Sequence, residues 1–215
     1  MTARKYGQFC GLARALEMVG ERWTLLIVRN LLSGPQRYTD LRKGLPAIPT
    51  NILSARLKQL EEAGLATRRP LPRPERAIVY ELTDYGRDLE PALIALGRWG
   101  ARTMTEPLPG ETITAESVAM AFRTTYRPQE AQDTTVGYEV RMGEFTLHIQ
   151  ITAGALTVGI GPHPAPDLVI ERQNEQGIHA LMTGAKSPDQ ALADGSVQVE
   201  GEPELLHRFV QAFRF

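Results

Sequence analysis

The sequence contains a single cysteine, Cys10, and that scarcity excludes several kinds of protein. One thiol cannot close an internal disulfide, which suits a reducing compartment. Nor can it supply a cysteine-rich zinc site. His148, His163, His179 and His207 are scattered without the short spacings of metal ligands, so no metal is expected. The sequence also lacks any apolar run long enough to cross a bilayer, and Met1-Thr2-Ala3-Arg4-Lys5 is not followed by a signal-peptide core. A cytoplasmic protein without membrane association is the expectation. Catalytic signatures are missing too. No serine lies in a nucleophile elbow, no carboxylate pair can be assigned to a pocket, and Gly159-Ile160-Gly161 runs into Pro162 instead of opening a helix. Neither an enzyme nor a cofactor is expected.

Net charge is almost absent, at −1, but it hides a division of sign. Residues 1–105 carry 17 Lys+Arg against 10 Asp+Glu, whereas residues 106–215 carry 7 against 15. A cationic half suits phosphate, and the same surface repels an acidic half. The composition changes at the same place. Thr105-Glu106-Pro107-Leu108-Pro109-Gly110-Glu111-Thr112 is short, polar and rich in proline, as a linker is. The chain therefore divides into a domain over residues 1–105, a linker at 106–112 and a domain over 113–215.

Helical periodicity governs the first domain. A helix around Phe9, Leu12, Leu16 and Val19 is stopped by Gly20, and a second from about Glu21 carries Trp23, Ile27 and Leu31. Thr39 is placed to cap a short helix containing Leu41, and Gly44 to Pro49 read as a turn. Thr50 to Ala63 then form a helix with Leu53, Leu57 and Leu60 along one side, ended by Gly64. Extended segments at Leu65–Arg69 and Ala77–Leu82 flank Pro70-Leu71-Pro72-Arg73-Pro74-Glu75-Arg76, too proline-rich for helix and too basic for core. Thr83 caps a last helix bearing Leu89, Leu93, Leu96 and Trp99, with Pro91 near its first turns.

This order is helix, turn, helix, then wing. At about 100° per residue, Leu53, Leu57 and Leu60 define a buried side, and Asn51, Ser54, Ala55 and Lys58 fall on or near the opposite one. Short polar side chains on an exposed face allow a helix to enter the major groove and reach base edges. Thr50 can offer its hydroxyl and backbone N–H to a phosphate at the helix start. Arg68, Arg69, Arg73 and Arg76 put charge on the wing, beside flanking phosphates or a minor groove. Double-stranded DNA is the expected partner.

In the second domain, Phe145, Leu147, Ile149 and Ile151 alternate with polar residues, Ala153-Gly154 is a hairpin turn, and Leu156, Val158 and Ile160 continue on the return strand. Leu168 and Ile170 mark another strand. Helical patches at Ile178–Met182 and Ser187–Ala193 precede a strand at Ser196–Glu200. An amphipathic helix with Leu205, Leu206, Phe209, Val210 and Phe213 closes the chain. On this reading the second half opens with strands.

Residues 9–103 resemble the HxlR-type winged-helix regulators, which are related to the MarR regulators. The resemblance rests on Cys10, Gly20-Glu21-Arg22-Trp23-Thr24, Tyr38-Thr39-Asp40-Leu41 and the run from Leu57 to Leu65. It continues through Tyr80-Glu81-Leu82-Thr83 with Gly86, and Trp99-Gly100. It implies a homodimer joined by terminal helices, with both recognition helices on a pseudo-palindromic operator; repression of transcription is the expected outcome. Pro49 stands where such proteins usually have serine. Cys10 matches a cysteine that senses oxidants or electrophiles in some of these regulators, and Arg4, Lys5 and Arg14 are near it in sequence, while a lone cysteine before an apolar helix is more often inert packing. From about residue 113 the chain resembles the sterol carrier protein type 2 fold. The matching pieces are Pro166 to Ile170, Gly184, Ala191 to Gly195 and Val197 to Gly201, followed by the Leu205–Phe213 helix. That resemblance implies an apolar cavity for a hydrophobic ligand, with Phe145, Leu147, Ile149, Leu156, Val158, Leu168, Ile170, Phe209 and Phe213 as candidate lining.

The expected architecture is thus two domains, a mainly α winged helix-turn-helix followed by an α+β sterol-carrier-like domain. The expected function is regulation of transcription by operator binding, modulated by a hydrophobic ligand. The alternative is a carrier or scavenger of hydrophobic molecules whose winged helix makes protein contacts.

Overall fold

The computed structural model describes residues 5–72, 74, 76–104, 108–174 and 176–214. The chain forms two compact units, Met1–Leu96 and Gly97–Phe215. The division falls inside a helix, earlier than the expected linker, of which Glu106 and Pro107 lie outside the described residues. Among the described residues, no helix is long and apolar enough to cross a membrane.

Unit 1 begins with α1 (Gly11–Val19), α2 (Thr24–Leu31), β1 (Gln36–Arg37), α3 (Tyr38–Gly44) and α4 (Thr50–Glu62). It continues with β2 (Ala66–Pro70), β3 (Ile78–Leu82), α5 (Asp84–Arg87) and the start of α6 (Glu90–Ala101). Ile27, Val28 and Leu31 of α2 are buried with Leu41 of α3 and with Leu53, Leu57 and Leu60 of α4. Fully burying each such side chain stabilises the fold by about 1.5–3 kcal/mol. Helix α4 ends at Gly64, whose φ of +69° is the left-handed conformation glycine tolerates. The Leu65 N–H then donates to the Leu60 carbonyl at 2.9 Å and turns the chain into β2. The strands form an antiparallel sheet in the order β1-β3-β2, with Arg69 opposite Val79 and Thr67 opposite Glu81. Strand β1 was not expected, because two residues are too short to show alternation.

Three local expectations are corrected. Helix α2 starts at Thr24, not Glu21, and Trp23 precedes it at a φ of +80°, half-buried, with the Arg22 guanidinium 5.2 Å from its ring. Helix α3 is entered at Arg37, not Thr39, because the Arg37 N–H donates to the Asp40 carboxylate at 3.3 Å. The last helix is broken into α5 and α6. Pro91 has no N–H to give the Arg87 carbonyl, so the helical ladder is interrupted there. Thr83 caps α5, accepting from the Gly86 N–H at 3.1 Å and donating to the Gly64 carbonyl at 2.6 Å. A side chain at Gly86 would collide with the Leu65 carbonyl, so glycine allows α5 to lie against the end of α4.

Unit 2 contains α7 (Ala115–Thr125), β4 (Thr135–Arg141), β5 (Thr146–Thr152), β6 (Ala155–Ile160) and β7 (Leu168–Arg172). It ends with α8 (Gly177–Thr183), α9 (Pro188–Ala193), β8 (Val197–Gly201) and α10 (Glu204–Ala212). Its sheet runs β6-β5-β4-β7-β8, parallel only between β4 and β7. The hairpin turn is as expected, with Ala153 and Gly154 both at positive φ. Helix α7 and strand β4 were missed, so the unit opens with a helix and not with strands. Glu116 and Arg123 are buried on α7 beside Ala119 and Phe122, which breaks the apolar stripe. Strand β4 is buried continuously from Val136 to Val140, which erases alternation.

One face of this sheet is covered by aromatic side chains. Phe122, Phe209 and Phe213 meet with ring centroids 4.9–5.7 Å apart, and Tyr138 stands edge-on to Phe209 at 5.2 Å. Burial pushes the Tyr138 phenol up to about 12.

Candidate nucleic-acid interface

Helix α4 divides cleanly by face. Leu53, Leu57 and Leu60 are buried, whereas Thr50, Asn51, Ser54, Ala55 and Lys58 are all exposed. Asn51, Ser54, Ala55 and Lys58 follow the i, i+3, i+4, i+7 spacing of a single stripe. The structure therefore brings all five expected residues together on one surface.

Hydrogen bonds distinguish their availability. The Thr50 carbonyl accepts from the Tyr38 hydroxyl and from the Ser54 hydroxyl, each at 3.0 Å. Ser54 Oγ also lies 3.4 Å from Tyr38 Oη. The Ser54 proton is thus already engaged. Asn51 makes no side-chain hydrogen bond among the described residues, so its amide can both donate and accept outward. Lys58 lies 3.6 Å from Glu62 in an exposed pair, which holds it weakly. Pro49 occupies the cap position and provides no side-chain cap to α4.

Two residues given no role by sequence reasoning position this helix. Tyr38, at the start of α3, fixes the beginning of α4 through the Thr50 carbonyl. Arg56 ties its middle to the turn before α2, with Nη2 2.7 Å from Glu21, Nη1 donating to Gln59 at 2.6 Å and Nε donating to the Arg22 carbonyl at 3.3 Å. The sequence placed Tyr38 and Glu21 inside resembling motifs, but nothing local shows that they reach α4.

The wing is less cationic than its arginines suggest. Arg69 pairs with Glu81 at 2.8 Å across the β2–β3 hairpin, and Arg68 lies 3.9 Å from Glu61. Arg76 is exposed at a φ of +41°, and Arg73 lies outside the described residues.

Helix α1 presents an apolar stripe to the outside. Phe9 just before it and Leu12 and Leu16 on it are 106%, 69% and 41% exposed. Cys10 is exposed at the entry to α1. The nearby Arg14 pairs with Glu17 at 3.0 Å. The Glu17 carboxyl is held below its ordinary value first by the Tyr6 N–H and then by Arg14.

The nine residues proposed to line an apolar cavity all belong to the unit 2 core. Leu147, Ile149, Val158, Leu168, Ile170, Phe209 and Phe213 are fully buried there, with Phe145 and Leu156 partly buried against them. The pockets beside Arg127 and beside Lys186 are lined by none of the nine.

A helix-turn-helix with a hairpin wing and an exposed polar recognition face defines a winged helix-turn-helix protein. Residues 18–107 match the HxlR-like helix-turn-helix family model. The regulator YvaP of Bacillus subtilis is 38% identical over 86 residues, covering 40% of this chain and 80% of its own length. The regulator Rv3095 of Mycobacterium tuberculosis is 45% identical over 94 residues, covering 44% of this chain. The match spans 59% of the length of that mycobacterial relative. Among solved structures, reduced YodB of B. subtilis aligns at 28% identity and a TM-score of 0.40, covering 48% of this chain and all of its own. The chain belongs to the HxlR-like helix-turn-helix family. The family model ends at residue 107, ahead of the five-stranded sheet.

Proposed function

We propose that this protein is a transcriptional repressor that binds a pseudo-palindromic operator as a homodimer, with α4 in the major groove. The observation that carries the reading is the exposed stripe of Asn51, Ser54, Ala55 and Lys58 opposite three buried leucines. Asn51 reads a base edge, Ala55 offers a methyl to thymine, and Thr50 and Lys58 flank them at the backbone. Arg69, Arg73 and Arg76 hold phosphates on either side of the groove. Two subunits present two α4 helices to half-sites about 34–36 Å apart. The dimer reading is supported by the unpartnered Phe9, Leu12 and Leu16 stripe, which a second copy of the same helix would cover. Unit 2 is a sterol-carrier-like domain in this reading, supported by one mixed sheet with helices packed on its apolar face. Titration of a labelled duplex from the gene's own upstream region against a random duplex tests the proposal. Preference for the upstream duplex supports it, and equal affinity for both refutes operator recognition.

A further inference from the structure

The geometry points to a binding site in unit 2 for a small organic anion with an apolar body, in a pocket of about 700 Å³ beside Arg127. The first observation is where the positive charge lies. From Gly97 onward the chain carries 9 Lys+Arg against 15 Asp+Glu. Four of those nine cations, Arg98, Arg102, Arg127 and Arg214, line this one pocket, and none of its lining residues is acidic. Among the described residues, no carboxylate pairs with Arg102, Arg127 or Arg214. Like charges that no described carboxylate pairs repel one another, and an anion placed among them relieves that repulsion.

The second observation is that the arginines stand on a fixed floor. Arg98 donates from Nε to the Thr124 carbonyl at 2.7 Å and from Nη2 to the Tyr126 carbonyl at 3.2 Å, closing the end of α7. The Arg127 N–H donates to the Ala212 carbonyl at 2.9 Å, the Arg214 N–H donates to the Thr125 carbonyl at 3.3 Å, and Tyr126 pairs with Phe213. The segments leaving α7 and α10 are thereby joined, which holds Arg127 and Arg214 on neighbouring strands of chain. Within unit 2, Gly97 lets the last turn of α6 lie close to α7, since a side chain there would press on Thr124. The backbones of Arg127 and Arg214 are fixed in this way, and their planar guanidinium groups suit bidentate binding of a carboxylate or phosphate.

The third observation is the remaining wall. Ala101, Tyr126 and Pro128 add apolar surface, and the volume falls within the ~300–1,000 Å³ of small-molecule sites, far more than an inorganic anion fills. A concave site in a unit with more Asp+Glu than Lys+Arg favours a small amphiphile over a duplex, which the unit's excess negative charge repels. The site is separate from the nine apolar core residues and does not depend on how the protein acts on DNA.

Calorimetry on the full chain tests this with dodecanoate and dodecyl phosphate below their micellar concentrations, beside dodecanol, acetate and inorganic phosphate. Both charged amphiphiles bind, and dodecanol, acetate and phosphate bind at least about tenfold more weakly, as expected for losing either the charged hydrogen bonds or the apolar contact. The R102Q/R127Q double variant lowers dodecanoate affinity by about tenfold or more with the thermal midpoint unchanged. Ala101→Trp, which fills the pocket, abolishes binding and guards against a misfolded double variant. Equal binding of dodecanol, or dodecanoate binding unaffected by Ala101→Trp, overturns the proposal. So does a protein that binds no small anion but loses DNA affinity in R102Q/R127Q, since the arginines then serve nucleic acid.

Discussion

Replacing Asn51 with alanine separates base reading from phosphate holding on α4. The side chain is exposed and makes no hydrogen bond among the described residues, so its removal leaves no buried group unpaired. Surface substitutions of this kind change stability by within about ±0.5 kcal/mol. A bidentate contact between an asparagine and adenine discriminates by about 1–3 kcal/mol. The proposed homodimer would present two such contacts, so Asn51→Ala is expected to cost about 2–6 kcal/mol on the operator, or roughly 30-fold or more in Kd. Ser54→Ala costs much less, because the Ser54 hydroxyl already donates to the Thr50 carbonyl at 3.0 Å. Fluorescence anisotropy at one fixed salt concentration measures both variants on operator and random duplexes, with thermal unfolding run alongside. The reasoning fails if Asn51→Ala weakens both duplexes equally, or if Ser54→Ala costs as much as Asn51→Ala.

Four further outcomes are expected. Glu81→Gln releases Arg69 from its 2.8 Å pair, so affinity for random DNA rises and the salt dependence steepens, while an unchanged slope removes Arg69 from the interface. Leu12→Glu puts charge into the exposed α1 stripe and shifts the protein to monomer in analytical ultracentrifugation, with an unchanged dimer ruling out α1 as the contact. Tyr38→Phe and Ser54→Ala remove donors to the same carbonyl, so their effects on operator affinity are non-additive, and strict additivity shows that they do not act as a unit. Asp194 is lowered to about 2, first by the Lys186 ammonium and then by Ser196. Its stabilisation is complete above the ordinary value of 3.8 and is lost as pH falls through about 2. The gap in Tm between wild type and Asp194→Asn therefore closes on acidification from about pH 5 to about pH 2, and a constant gap refutes the link.

What the sequence made legible was whatever rests on strict periodicity. The buried leucines of α4 repeat so regularly that the opposite face could be named residue by residue, and the β5–β6 hairpin was marked by alternation and by Ala153-Gly154. What it hid depends on residues that break their own pattern. Buried Glu116 and Arg123 disguised α7, and β4, covered on both faces, lost its alternation. On the far side of that sheet, side chains at Gly137 and Gly159 would collide with the rings of His163 and His148. These two histidines thus fill space left by glycines, which no local spacing reveals. Long-range contacts were hidden for the same reason. Arg56 and Glu21 are far apart in sequence, and only folding brings them to 2.7 Å.

The distribution of contacts in unit 1 also bears on how such a protein discriminates between DNA sites. Helix α4 is held from its buried side by leucines, from its start by Tyr38 and from its flank by Arg56. The exposed stripe is therefore free to differ between relatives without disturbing the fold, apart from Ser54. The wing follows a different logic. Glu81 and Glu61 sit beside Arg69 and Arg68 and offset charge that would otherwise attract any phosphate. Non-specific affinity comes almost entirely from such charge, and a genome offers a vast excess of competing sites. Damping the wing lowers the background without touching the α4 residues proposed to read bases. On this argument the two glutamates raise the specificity ratio even though they weaken absolute binding, and a wing stripped of them would hold DNA more tightly while choosing its site less well.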